Sequence, residues 1–254
     1  MAPTKRPKAL KVAVVRMYAR PVFTEEGDFE IASRKSSFSE TLADGVVSSL
    51  TGQKRIPVTV KDYGDLIESE NAGGMKKADL ARVGTALKKI ASQHDLVVVL
   101  GGSHSIAYPV YHVPGKVLRM DLHADEGTSS QWGQILHYGA LGHAVKDGLK
   151  KPGQITQMGL IQGKKYGETA EPNEKIGEHS IVDICGDAFN EYHGIKSVYP
   201  SSPKGLTAIQ MALKVKEANP RVISFAEIEG GNKAQEIVNL LVMQALKRKQ
   251  GGRI

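Results

Sequence analysis

The chain has 254 residues, 41% hydrophobic and 24% charged, an ordinary globular composition that sets aside disordered, collagen-like and coiled-coil classes. No run of about 18 apolar residues predicts a membrane span, and the basic start MAPTKRPKAL lacks the apolar stretch of a signal peptide. One cysteine, Cys185, excludes an intramolecular disulfide and suits a cytoplasmic protein.

The net charge of +7 comes from the two ends: Lys5, Arg6, Lys8 and Lys11 open the chain, and Lys247, Arg248, Lys249 and Arg253 close it, with no acid among them. The remainder is close to neutral, so the excess reads as solvated ends (about 1–10 and 247–254) rather than a nucleic-acid surface. No helix-turn-helix, zinc-finger or RNA-recognition signature supports nucleic-acid binding.

Along the chain, β-rich runs alternate with helical ones. Strands are predicted at Lys11–Tyr18, Val58–Tyr63, Leu96–Leu100, Lys116–Asp121, Ile155–Leu160, Ser180–Ile184 and Arg221–Ile228. Leu80, Val83, Leu87 and Ile90 stripe one helix. Leu206–Ala218 forms a second, and the last starts near Asn232 with Ile237, Leu240, Leu241 and Ala245, ending in a basic turn. Residues 19–56 are polar and poorly periodic and receive no element. Strands such as LVVVL at 96–100 are apolar on both faces, which fits the centre of a parallel sheet covered on each side by helices. One α/β domain spanning 1–254 is expected, with its site outside the carboxyl ends of the strands.

Three loops after strands carry unusual chemistry. Gly101-Gly102-Ser103-His104-Ser105 turns sharply and projects an imidazole, though a surface turn would explain it about as well. In Asp121-Leu122-His123-Ala124-Asp125, residues 121, 123 and 125 share one side of an extended chain. Two crowded carboxylates call for a cation, the alternative being a solvated polar loop. Asp183-Ile184-Cys185-Gly186-Asp187 puts Asp183 and Cys185 on one face, where Cys185 reads either as a ligand or as a small buried hydrophobe. Such a donor set suits Mn²⁺, with Asp121 and Asp183 able to bridge two ions, and points to metal-assisted hydrolysis.

These loops resemble the ureohydrolase family of arginase, agmatinase and relatives, over roughly residues 80–247. GGSHS at 101–105 is similar to the family's GG(D/N)HS, DLHAD at 121–125 to DAHxD, and VDIC at 182–185 stands where SxDxD is expected. FAEIEGGN at 225–232 resembles the late glutamate block with Glu229 on the glutamate, and the stretch from His137 to Leu149 resembles HGT…RA…EEG. The resemblance implies a three-layer α/β/α sandwich with a largely parallel sheet, assembled as trimers or hexamers. It also implies two Mn²⁺ ions, one held by His104, Asp121, Asp125 and Asp183, the other by Asp121, His123, Asp183 and residue 185. The implied reaction is hydrolysis of a guanidino compound with release of urea. Asp125 would handle a proton, His137 would relay one, and Glu229 would pair with the guanidinium, with Glu227 as its rival.

Departures from the pattern shape the expectation. Cys185 replaces an aspartate, which weakens the second position for Mn²⁺ or favours a softer ion such as Zn²⁺ or Ni²⁺, and Asp187 is a substitute at a different spacing. The stretch 129–133 lacks the Ser/Asn pattern that grips an amino acid's α-carboxylate, so agmatine or another guanidino compound without that group suits better than arginine. The alternative is a non-catalytic, metal-binding relative that acts as a scaffold or interaction protein.

Overall fold

Apolar side chains on both faces of the central strands demand helices on both sides. A computed structural model of the protein describes residues 8–18, 37–53, 56–68, 75–128, 134–161, 166–189, 196–197, 204–229 and 231–251. In chain order the elements are β1 (Leu10–Tyr18), α1 (Ser37–Gly52), β2 (Val58–Glu68), β3 (Met75–Lys76), α2 (Lys77–Gln93) and β4 (Leu96–Gly101). They continue with α3 (Ala107–Val110), β5 (Val117–Met120), β6 (Gln134–Ile135), α4 (Ala140–Lys146), β7 (Ile155–Met158) and β8 (Glu168–Thr169). The last are β9 (Ile181–Cys185), β10 (Lys196–Ser197), α5 (Ala208–Ala218), β11 (Val222–Ala226), β12 (Ile228–Glu229) and α6 (Gly231–Lys249).

Eight strands form one sheet in the order β2-β1-β4-β11-β9-β5-β7-β8, and every neighbouring pair in it is parallel. The remaining four strands make two small antiparallel ladders, β10 with β12 and β3 with β6. Alternation decides which side each residue serves. Leu96, Val98, Leu100, Leu118, Met120, Val182, Ile184, Ile223 and Phe225 pack against α1, α5 and α6. Val97, Val99, Val117, Ile155, Ile181 and Val222 pack against α2, α3 and α4. The result is the expected three-layer α/β/α arrangement. Among the described residues no helix is long and apolar enough to cross a membrane.

All seven predicted strands are present, with ends shifted by a few residues. The largest addition is α1, inside the stretch that received no element. Its sequence, SFSETLADGVVSSLTG, is rich in Ser, Thr, Val and Gly, which have weak helix preference. Leu42, Val46 and Leu50 nevertheless recur at four-residue spacing and are buried against the sheet, so tertiary packing makes the helix. α5 carries its own start signal: the Thr207 side chain accepts from the Gln210 backbone N–H, and Gln210 answers on the Thr207 backbone.

Candidate metal centre and active site

The sheet order brings β4, β11, β9 and β5 side by side. Their carboxyl ends deliver His104, Glu227, Cys185 and Asp121 to one place, although these residues are spread over more than a hundred positions of chain. His104, Asp121 and Asp183 are buried together. The His104 ring spans the cluster, with Nδ1 3.1 Å from Asp121 Oδ2 and 3.1 Å from Asp125 Oδ2, and Nε2 3.1 Å from Asp183 Oδ2. Burial opposes a charge on His104, but Asp183, Asp121 and Asp125 outweigh it and raise its pKa well above the ordinary value.

Below these loops a polar row crosses four strands. Ser224 on β11 sits in register with Asp183 on β9, Asp183 with Arg119 on β5, and Arg119 with Gln157 on β7. Ser224 Oγ donates to Asp183 Oδ1 at 2.7 Å, and Tyr111, just after α3, donates its hydroxyl to Asp183 Oδ2 at 2.7 Å. Arg119 was not singled out from the sequence, and it is the largest charged group in the site. Its side chain is 1% exposed. Nη1 donates to the carbonyls of His123 (2.7 Å) and Ala124 (2.8 Å) and to Gln157 Oε1 (3.2 Å). Nη2 donates to Asp121 Oδ2 and, at 2.7 Å, to Asp125 Oδ2. Burial pushes against the ionised form of Asp121, and the Arg119 guanidinium and His104 more than offset it, holding that carboxyl below the usual range.

Asp187 and Glu227 complete the cluster. Asp187 Oδ2 lies 2.6 Å from His123 Nδ1, while His123 donates its backbone N–H to Asp121 Oδ1 at 2.8 Å. Glu227 follows β11 directly. Its Oε1 accepts from the His104 backbone N–H at 3.3 Å and its Oε2 from the Cys185 thiol at 3.4 Å. Burial pushes Glu227 up to about 7, with His104 opposing and Asp125, Asp121 and Asp187 adding to it. Burial also keeps Cys185 a thiol, helped by Asp121 and Glu227.

Two of these residues sit in strained backbone. Asp125 (φ 46°) and Glu227 (φ 55°) adopt the left-handed region, at about 1–2 kcal/mol each for a residue with a side chain. A glycine makes room for the second: a Cβ on Gly186 would run into the Glu227 carbonyl, so the end of β9 comes close to the end of β11 only because residue 186 has no side chain.

Of the residues expected from sequence, His104, Asp121, His123, Asp125, Asp183 and Cys185 gather here. The side chains of His137 and Glu229 lie outside the described residues. In backbone, His137 opens a short 3₁₀ turn before α4 that packs on the turn holding His104, and Glu229 pairs with Lys196 in the β10–β12 ladder. Asp187, Glu227 and Arg119 are the additions. Asp187 is the substitute at a different spacing and Glu227 the rival of Glu229, whereas the sequence signal for Arg119 is a charge inside an otherwise apolar strand.

The family model for arginases matches residues 37–190. The chain belongs to the arginase family. The mitochondrial agmatinase of Gallus gallus is 26% identical over 123 residues, which cover 42% of this chain and 36% of that protein, so the chain spans about a third of the length of this curated relative. Among solved structures, a hypothetical agmatinase from Burkholderia thailandensis superposes with a TM-score of 0.70 at 16% identity, covering 98% of this chain and 90% of that one. A Trypanosoma cruzi formiminoglutamase variant with Mn²⁺ gives 0.72 at 10% identity, covering 98% and 96%. Arginase from Bacillus subtilis gives 0.66 at 17%, covering 93% and 98%. At these identities the superpositions establish the fold, which is the arginase-like α/β sandwich.

The family's metals can be tested against the donors present. Among the described residues, two sets of side chains have donor atoms mutually within 4.8 Å: Asp121, His123 and Asp187, and His104, Asp121 and Cys185. The first set fits an ion. It is reached from solvent through His123, whose side chain is 36% exposed, and it offers two carboxylates and an imidazole. An ion there would replace the contact of His123 Nδ1 with Asp187 Oδ2 at 2.6 Å, whereas the second set has both His104 nitrogens against carboxylates and adds a buried thiol. The four-residue set implied for one ion, His104, Asp121, Asp125 and Asp183, is already bridged internally by Arg119 and His104. In the other implied set, Asp187 rather than Asp183 is the carboxylate beside His123.

Proposed function

We propose that this chain is a metal-dependent hydrolase of a small guanidino compound. Water adds its oxygen to the guanidinium carbon, the bond from that carbon to the substituted nitrogen breaks, and the products are urea and an amine. The observation that carries the reading is the convergence of Asp121, His123, Asp125 and Glu227 at adjacent strand ends in an arginase-family fold. Asp121, His123 and Asp187 are the residues that would hold a divalent ion, with Mn²⁺, Zn²⁺ and Ni²⁺ as the ions to try. When bound, such an ion supplies the acidity that makes water a nucleophile near neutral pH.

The chain's own groups do the rest. A guanidinium keeps its charge in water, so a carboxylate must meet it. Glu227 is assigned this role, because its carboxyl group reaches the cluster at both His104 and Cys185. Asp125, at the loop's left-handed corner with 12% of its side chain exposed, takes a proton from the attacking water. His137 passes a proton to the leaving amine, a role supported by the packing of its turn on the His104 turn. Agmatine-like compounds without an α-carboxylate are the favoured substrates.

A second reading has its own observation. Both oxygens of Asp183 are engaged by neighbouring side chains, and a guanidinium, that of Arg119, already sits among the carboxylates. A cluster so neutralised suits a non-catalytic relative. Urea release from a panel of guanidino compounds, with each metal added in turn, separates the two. Turnover that is lost in Asp121→Asn is the expected result. No turnover above buffer with any pair, on protein shown to carry metal, would leave the second reading standing.

A further inference from the structure

We propose that Arg119 is a built-in cation that takes the place of one of the family's two ions, so that this chain binds a single divalent ion, at Asp121, His123 and Asp187. The inference rests on the metal-dependent reading of the site, but it concerns ion number and not turnover.

Three observations lead to it. First, the socket around Arg119 is complete. Besides its contacts with Asp121 and Asp125, Nη1 is fixed by two main-chain carbonyls and by Gln157, which are neutral acceptors. The carbonyls come from residues 123 and 124, within the ligand loop itself, so the loop is folded around the guanidinium. Planar, permanently charged and rich in donors, arginine is suited to such a socket. Second, Nη2 lies where three donors of the implied first ion meet. It touches Asp121 Oδ2 and Asp125 Oδ2 and is 3.5 Å from His104 Nδ1. A dication cannot share that space with an arginine nitrogen, and the like charges would repel across a buried, weakly screened gap. Third, Asp183 is withdrawn from ligation. Oδ1 accepts from Ser224, and Oδ2 accepts from Tyr111 and faces His104 Nε2.

Asp121 then divides its two oxygens. Oδ2 faces Arg119 and His104, whereas Oδ1 accepts from the His123 backbone N–H, with His123 Nδ1 3.9 Å away. The carboxylate links a fixed organic cation on one side to an ion position on the other. One charge of the usual pair is thereby supplied by the sequence and cannot be removed by a chelator.

The test counts ions. Chelator-stripped protein is equilibrated by dialysis against excess Mn²⁺, and separately Zn²⁺, and bound metal per chain is measured by mass spectrometry. The expected counts are one ion in the native chain, none in Asp187→Asn, and two in Arg119→Met, which keeps bulk but frees Asp121 and Asp125. Two ions in the native chain, or none, would overturn the proposal. So would a folded Arg119→Met protein that still binds one. If Arg119→Met fails to fold, as shown by circular dichroism, the native and Asp187→Asn counts still decide. One bound ion without urea release would sink the hydrolase reading and leave this inference intact.

Discussion

The two faces of the central sheet are built from the same strands and obey opposite rules. On the face covered by α1, α5 and α6, Leu118, Met120, Val182, Ile184, Ile223 and Phe225 form an unbroken apolar surface. On the other face the next residue along each of four strands is polar: Ser224, Asp183, Arg119 and Gln157. Stability on the first comes from removing apolar area from water, and a missing methylene there costs what it would in any core. On the second it comes from each charge finding its partner, and a missing partner costs more than the pair contributed.

Paired substitutions would break or sharpen this contrast. Phe225→Ala on the apolar face should cost about 3–5 kcal/mol in chemical denaturation and leave metal content unchanged. Arg119→Leu on the polar face should cost a similar amount, about 3–5 kcal/mol, in metal-free protein, because it strands buried carboxylates. That loss should shrink when Mn²⁺ is added, and the Phe225→Ala loss should not. Equal behaviour of the two variants with Mn²⁺ would erase the distinction between the faces. Ser224→Ala should be milder, about 1.5–3 kcal/mol, for one hydrogen bond to a charged acceptor. It should leave the fold's thermal transition cooperative.

The smallest expected effect is a pH dependence at the edge of the apolar face. His179 is buried, with its ring nitrogens 3.0 Å from Thr156 Oγ1 and 3.2 Å from the Gly177 carbonyl. Burial lowers its pKa, so the folded chain resists a proton that the unfolded chain accepts below about 6.5. Its contribution is therefore complete above that value and is lost as the pH falls towards the lowered folded value. His179→Asn should flatten the stability profile below about pH 6.5 without changing the ion count. An unchanged slope would assign the acid sensitivity to other groups.

Much of this was legible in the sequence because the apolar runs of the strands and the His/Asp spacing in the loops are local signals. The polar row was not. The arginine in VLRM stands out as a charge in an apolar strand, but that it and the serine in VISFA lie on a single line with Asp183 and Gln157 shows only in the register. Glu227 was blurred for a related reason: the run Arg221–Ile228 reads as one strand, whereas the chain leaves the sheet at Ala226 and turns through a left-handed residue. α1 was hidden because its helical state is imposed by the sheet beneath it and not by its composition.

The transverse line of Ser224, Asp183, Arg119 and Gln157 also bears on how the molecule assembles. Its four members come from segments that are distant along the polypeptide, and the row is complete only when β11, β9, β5 and β7 have paired in register. A slip of one residue by β9, β5 or β7 would drive a charge or an amide into hydrocarbon on the opposite layer. The same groups thus act as a checkpoint against misaligned strands, and they tie the shape of the candidate site to correct pairing within the sheet.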